Sequence, residues 1–385
     1  MVRVADSHEG ARGRRTKALL LVAAALVIAG FAIHTRVGQV TELTPHRNSP
    51  IYPLPQERAE VLLNGHDGQF FAAVAADPLL DHPADIGPEV AQRASRPLFS
   101  WLTWLAAVGQ RSRIASALMV LTAMSVATLV AAMIYLGHAM GRDGTHPLVL
   151  CVLGAPGVLA VVAYPGLNDA LGTALALAGL AAWRRGRGGW AVAGFGLAGL
   201  CHEALLVFPA AVLIHELVSV DRRDPTRLAT VVARRLMAFV PYLAWLGYVR
   251  VRVGGWPTAS RHGNLDLPFV GFASAAHNRW HLFDVACLAV IVLAGLVTWT
   301  RLGHVLAVRL TVIGFAGVGV FLGPYVWARF LDFGRVLLPV CALGIVGLLP
   351  SRAGRDVVID LRDAARADAD VGRPTVGEVV ARSPS

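Results

Sequence analysis

Charge is what this chain of 385 residues has least of: 16% of its residues are Asp, Glu, Lys or Arg, against 55% hydrophobic. With a mean hydropathy of +0.57, that balance excludes a soluble domain of this length. Cysteine is scarce as well. Cys151, Cys201, Cys287 and Cys341 lie within or at the ends of apolar runs, so they read as small core residues and not as a disulfide framework or a metal set. His262, His277 and His281 lack the spacing of an H-E-x-x-H site, which argues against zinc. No G-x-G-x-x-G, Walker A or G-x-S-x-G sequence occurs, leaving nucleotide-driven and serine-hydrolase chemistry without a motif. No internal repeat supports an inverted-repeat transporter. The net charge of +10 is not a nucleic-acid footprint. Arginines stand in short clusters between apolar runs, as orientation signals and headgroup contacts require.

What is present is a succession of charge-free windows of about 16 to 24 residues, the signature of membrane-spanning helices. The expected fold is an all-α polytopic membrane protein with about ten transmembrane helices. Arg12, Arg14, Arg15 and Lys17 precede an apolar run from Ala18 to about Ile33, which places residues 1–17 in the cytoplasm. A cleaved signal peptide is the rival reading of this run, but no clear small-x-small site follows it. Further spans are expected at 114–138, 147–164, 169–183, 189–201, 203–218, 235–252, 282–300, 307–325 and 335–350. The transmembrane domain then covers 18–350, with extracytoplasmic loops at 38–113 and 253–281 and both termini inside. The charged tail, 351–385, reads as a solvated, partly disordered cytoplasmic appendage with one amphipathic stretch near 357–367.

The densest chemistry is in the first loop, at Asn64-Gly65-His66-Asp67-Gly68-Gln69-Phe70-Phe71 through Asp77-Pro78. Phe70, Phe71 and Val74 fall at helical spacing and Pro78 stops the run, which predicts a short amphipathic helix on the membrane surface. Asp67 at its start has two compatible readings. It caps the free N–H groups of that helix, or it is a general base held ionised at the water–lipid boundary. Pro97 to Leu105, with Trp101 and Trp104, is too short to span and reads as a second interfacial helix. On the same face the alternation of spans collects Asn168-Asp169, Cys201-His202-Glu203, and Arg329, Asp332 and Arg335. Ionisable residues in such places need a partner, a cavity or a function. Plain structural readings stand beside these. Asp169 can cap its own helix, His202 and Glu203 can seal a helix break as a hydrogen-bonded pair, Arg329 and Arg335 can anchor to headgroups, and Trp101, Trp104, Trp280 and Trp327 can form an interfacial belt.

The order of these features resembles the GT-C superfamily of integral membrane glycosyltransferases, which use polyprenyl-phosphate-linked sugars. The likeness is nearest to bacterial proteins of cell-surface glycopolymer formation that carry a D-G-Q-F-[FY] stretch with a following D-P. Here these are Asp67-Gly68-Gln69-Phe70-Phe71 and Asp77-Pro78. A late G-R-x-L-x-P element corresponds to Gly334-Arg335-Val336-Leu337-Leu338-Pro339. The resemblance covers about residues 15 to 350. Many relatives have a Thr-Arg-Glu-like sequence where this chain has Cys201-His202-Glu203, and there is no Asp-x-Asp pair at Asp67.

The resemblance implies an inverting transfer on the extracytoplasmic face of a bacterial cytoplasmic membrane. The sugar would pass from a polyprenyl phosphate to a cell-envelope glycan or glycolipid, amid membrane lipids and without nucleic acid. Asp67 would be the base. Arg335, Arg329, Arg96 and Arg93 would serve the donor phosphate, and His66, Gln69, Asp169, Glu203 and His202 would position sugar or acceptor. A divalent cation, Mg or Mn, is an open possibility. A polyprenyl-linked glycan transporter or flippase and a non-catalytic partner in envelope assembly are the alternatives.

Overall fold

The computed structural model describes residues 3–40, 58–63, 66–86, 90–220, 225–254 and 264–352. Apolar runs become helices throughout, because a helix satisfies its own backbone where no water is available to do so. The helices are α1 (Arg3–Gly38), α2 (Arg58–Leu63), α3 (Gly68–Ala76), α4 (Val90–Ala94), α5 (Leu98–Ala106), α6 (Ile114–Ala139), α7 (Pro156–Ala163), α8 (Asp169–Arg184) and α9 (Gly188–Cys201). There follow α10 (Val207–Ser219), α11 (Pro225–Leu236), α12 (Val240–Val253), α13 (Val270–Asn278), α14 (Leu282–Leu302), α15 (Leu306–Phe321), α16 (Pro324–Trp327), α17 (Phe330–Val336) and α18 (Leu338–Leu348). Among the described residues the only β pairings are isolated bridges, Arg142 with Ser351 and Leu265 with Leu322.

Among the described residues, three helices are long and apolar enough to cross a membrane: Gly13–Gly38, Arg111–Ala139 and Leu282–Leu302. The number rises to five if each bent pair, Leu228–Leu236 with Val240–Val253 at 45° and Phe330–Val336 with Leu338–Leu348 at 65°, is one span. The expected spans at 169–183, 189–201 and 307–325 are helices of 16, 14 and 16 residues. At 1.5 Å per residue, 16 residues reach about 24 Å, short of a hydrocarbon core of about 30 Å. The expected span at 147–164 is broken. A 3₁₀ stretch, Pro147–Gly154, gives way to α7 at Ala155 (φ −66°, ψ 139°), since Pro156 cannot continue a ladder begun before it.

The central layer is α1 on α6, α6 on α8 and α8 on α9, with α14 on α18 forming a second pair. Exposed Val285, Val292, Leu293 and Leu296 on α14, with Leu19, Leu20, Val27 and Phe31 on α1, present apolar side chains outward, as helices facing lipid do. The short helices gather at one end of this assembly, and α3 among them is buried along seven of its nine residues. There α3 packs on α5, α4 and α6, and α17 packs on α7. Helix α5 is nine residues long, with Phe99, Ser100 and Thr103 buried and Trp104 and Leu105 exposed. At the other end Arg142 donates to the carbonyls of Leu349 and Arg301. The amphipathic stretch expected near 357–367 lies outside the described residues, as does His262.

Candidate functional site

Two close backbone approaches build the site. A Cβ on Gly68 would lie 2.5 Å from His66 Cε1 and 2.6 Å from the Pro165 carbonyl oxygen. The loop after α7 therefore seats on the start of α3 only because residue 68 has no side chain. The second approach is at Gly334, where a Cβ would meet Pro156 Cβ at 2.8 Å and Gly157 N at 3.3 Å. This crossing of α7 and α17 brings the next residue, Arg335, under α3.

Asp67 sits at the N-cap position of α3 but makes no side-chain capping bond, so the capping reading of its carboxylate is corrected. The carboxylate is taken by two guanidiniums instead. Arg93 Nη1 donates to Oδ1 at 2.5 Å, and Arg335 Nη2 donates to Oδ2 at 3.2 Å. Arg93 also lies over the Phe70 ring, 4.4 Å from its centroid, a cation–π contact that fixes its direction. Burial pushes the Asp67 carboxyl up, but Arg335, Arg93 and Arg96 outweigh it and hold the group well below the usual carboxylate range.

Arg335, 13% exposed, is the hub. Besides Asp67 it faces Asp169 Oδ2 from Nε at 3.1 Å and Asp332 Oδ1 from Nη1 at 3.9 Å. The Asp169 contact is an ion pair without hydrogen-bond alignment, since Asp169 Oδ2 and Arg335 Nε both lack a hydrogen-bond partner. Asp169 is the first residue of α8 and Asn168 is its N-cap, so the reading of Asp169 as a cap is also corrected. Asn168 Nδ2 instead donates to the Cys201 carbonyl at 2.5 Å, tying α8 to the break after α9. Beside Asp169 and Arg335 is a cavity of about 10 Å³, lined also by Thr173, His202 and Pro339. That is about the space one water needs.

Arg96 and Glu203 form a separate clamp. Nε and Nη2 of the arginine donate to the two carboxylate oxygens at 2.8 and 2.6 Å. His202 Nδ1 lies 3.9 Å from Glu203, too far for the expected hydrogen-bonded pair, and accepts from the Ala204 N–H at 3.2 Å. Both nitrogens of His66 serve the backbone. Nδ1 accepts from Gly68 N–H at 2.9 Å and Nε2 donates to the Leu62 carbonyl at 2.8 Å. Burial lowers this ring to about 4, so it is neutral and shapes the Asp67 turn. Gln69 is buried, and its Oε1 has no hydrogen-bond partner among the described residues. Arg329 is 65% exposed and pairs with Asp332 at 3.4 Å.

Asp77 is a turn former. Its carboxylate accepts the N–H groups of Asp81 and His82 at 2.9 and 2.7 Å. The expected tryptophan belt is corrected in part. Trp327 is 5% exposed in the core and its carbonyl accepts from Trp280 Nε1 at 2.6 Å. Trp101 stacks edge-on against Trp245, with ring centroids 4.8 Å apart. Sequence reasoning gave Asp332 no role, although it lies one helical turn before Arg335, the spacing at which an acid and a base meet.

No group of three or more His, Cys, Asp or Glu able to hold a metal occurs among the described residues. Asp67, Asp169 and Asp332 are instead arranged around one guanidinium. This donor set does not fit a divalent cation, and no step is derived through one.

An apolar cavity of about 460 Å³ lies between α13, α14, α15 and α18. Its walls include Phe272, Leu296, Ala316, Trp327, Leu337 and Val340. Leu337, two residues after Arg335, is on its wall, but none of the charged residues around Asp67 lines it. Compared with protein-family models, curated proteins and solved structures, the chain matches none.

Proposed function

We propose that this chain is an integral membrane glycosyltransferase of GT-C type, with about ten spans and both termini cytoplasmic. It moves a sugar from a polyprenyl phosphate to an envelope glycan or glycolipid on the extracytoplasmic face of a bacterial cytoplasmic membrane. The observation that carries the reading is the carboxylate of Asp67 held by Arg93 and Arg335, in a chain that also has an apolar cavity of about 460 Å³. A lipid-phosphate sugar needs these three things together. It needs apolar space for the chain, cations for the phosphate and a carboxylate for the incoming hydroxyl.

In this reading Asp67 accepts the acceptor's hydroxyl proton as that oxygen attacks the anomeric carbon. The bond from that carbon to the phosphate oxygen breaks, its electron pair stays on the phosphate, and configuration inverts. Arg335 and Arg93 stabilise the departing phosphate. Asp169 holds Arg335 in register and Gln69 Oε1 takes a sugar hydroxyl. Arg96 and Glu203 fix the frame around them.

The test uses the protein in lipid nanodiscs with a panel of radiolabelled polyprenyl-phosphate sugars and a crude envelope-glycan acceptor. Wild type consumes one donor, and Asp67→Asn lowers that turnover by at least about a hundredfold with membrane insertion unchanged. Full turnover by Asp67→Asn would remove Asp67 as base, and consumption of no donor by wild type would remove the enzyme.

A further inference from the structure

Among the described residues, every cation around Asp67 already faces a carboxylate. Arg93 and Arg335 are on Asp67, Arg335 also faces Asp169 and Asp332, Arg96 is on Glu203 and Arg329 is on Asp332. His66 is neutral, with both ring nitrogens on backbone groups. Helices α5 and α6, which also pack on α3, bring no charged side chain to this end. The cluster is balanced as it stands. A phosphodiester entering it brings negative charge and must share a cation with a carboxylate. Arg96 is the harder one to release, because Glu203 holds it through two aligned hydrogen bonds. Arg335 is held at Asp67 by a single longer bond of 3.2 Å and at Asp169 without alignment.

Resting on the donor assignment above, we propose that Arg93 and Arg335 are exchangeable cations. They hold Asp67 in the free protein and pass to the donor's phosphate when it binds, so that Asp67 becomes an effective base only in the donor complex. The charge balance of the reaction agrees. Asp67 loses its negative charge by taking the acceptor proton, and the phosphate gains one by keeping the electron pair of the broken C–O bond. The sum over carboxylate and phosphate is unchanged, and the arginines follow the charge from one to the other. The consequence is an order of events. A carboxylate held by two guanidiniums is a poor proton acceptor, so an acceptor hydroxyl arriving before the donor is not activated.

The experiment titrates the Asp67 carboxyl by infrared difference spectroscopy of the full chain in nanodiscs. Spectra are taken between about pH 3 and pH 8, with and without farnesyl methyl phosphodiester, a probe that does not itself titrate in this range. The band that is missing in Asp67→Asn identifies the residue. The expected result is an Asp67 carboxyl that stays ionised across this window in the free protein and acquires a midpoint inside it when the phosphodiester binds, a rise of the size that opposite charges impose on a carboxylate. Arg93→Gln raises the midpoint without any probe. Binding of the phosphodiester with an unmoved midpoint overturns the exchange and leaves the glycosyltransferase reading standing. Failure of the phosphodiester to bind removes the donor assignment and the exchange with it.

Discussion

Arg335 stands between Asp67 and Asp169, with Nη2 3.2 Å from one carboxylate and Nε 3.1 Å from the other. A single planar guanidinium thus joins the start of the buried helix α3 to the first turn of α8, with Asp332 on its own helix as a third neighbour. Lysine cannot reproduce that, because an ammonium is a point charge that serves one carboxylate well and not three. Arg335→Lys is expected to lower thermal stability by about 1 to 3 kcal/mol, the cost of leaving buried carboxylate oxygens without their hydrogen bonds. It is expected to slow donor turnover by at least about a hundredfold. Arg329→Lys, at an exposed pair, costs less than about 1 kcal/mol. Equal losses in the two variants, read by thermal midpoint and turnover, would deny Arg335 its place at the hub.

The Arg96–Glu203 clamp makes a different prediction. Its geometry is aligned and two-pronged, and it joins residue 96, just before α5, to the break that follows α9. Arg96→Ala and Glu203→Ala each destabilise the protein, and the double variant costs less than the sum by about 1 to 3 kcal/mol. Turnover measured well below the melting temperature falls in step with stability. A strictly additive double variant would show that the clamp carries no coupling.

The long apolar windows were legible because hydropathy over about 20 residues reports burial directly. The expected 114–138 is α6 and the expected 282–300 is α14, each within two residues. The helix after Asp67 was legible as a helix, from three apolar residues at helical spacing and Pro78 beyond them, but its place was not: seven of its nine residues are buried, so the expected surface helix is corrected. The break at Ala155 was not, since a hydropathy window counts Pro147 and Pro156 as mildly apolar and ignores what they do to the ladder. The partners of Asp67 were the least legible. Arg93 is 26 residues away in sequence and Arg335 is 268, and no periodicity links such pairs. The Gly334-Arg335 pair held the clue, because only a close helix crossing explains that glycine. His66 was misjudged as facing substrate because nothing local reveals that both of its ring nitrogens serve the backbone.

His66 provides a pH test of the Asp67 turn. Its folded value is about 4 against 6.5 for the free side chain, burial being the main cause. The unfolded chain therefore binds the proton first as pH falls, and the folded state loses relative stability between about pH 6.5 and pH 4. The contribution is fully present above pH 6.5 and amounts to about 2 kcal/mol after allowing for partial exposure. Thermal midpoints measured across that window should fall with acidification in wild type. The slope should flatten in His66→Gln, which has no proton to take up. An unchanged slope would place the acid sensitivity elsewhere.

The α7–α17 crossing can be tested with one methyl group. At Gly334 an added Cβ meets Pro156 Cβ at 2.8 Å, whereas at Gly317 on α15 nothing lies within 4 Å. Overpacking of this kind costs about 1 to 3 kcal/mol, and here the displaced element carries Arg335. Gly334→Ala should lower both thermal midpoint and donor turnover, while Gly317→Ala should keep both or raise stability slightly. A Gly334→Ala protein with full turnover would show that Arg335 does not depend on this crossing.

The apolar cavity tests where the lipid chain lies. Ala316 is on its wall, and Ala316→Trp puts a large side chain into the space without touching the charged cluster. If the cavity receives the polyprenyl chain, filling it removes contacts worth about 0.8 kcal/mol per buried methylene. The Michaelis constant for a long-chain donor should then rise by tenfold or more, since the loss of even two such contacts exceeds the 1.4 kcal/mol of a tenfold change. A donor with a single isoprene unit, whose chain is too short to occupy the cavity, should be used equally well by wild type and Ala316→Trp. The maximal rate should hardly change with either donor, because binding along the chain is equal in ground and transition states. An equal rise for long and short donors would point to a disturbed charged cluster, and no rise for either would place the chain outside this cavity.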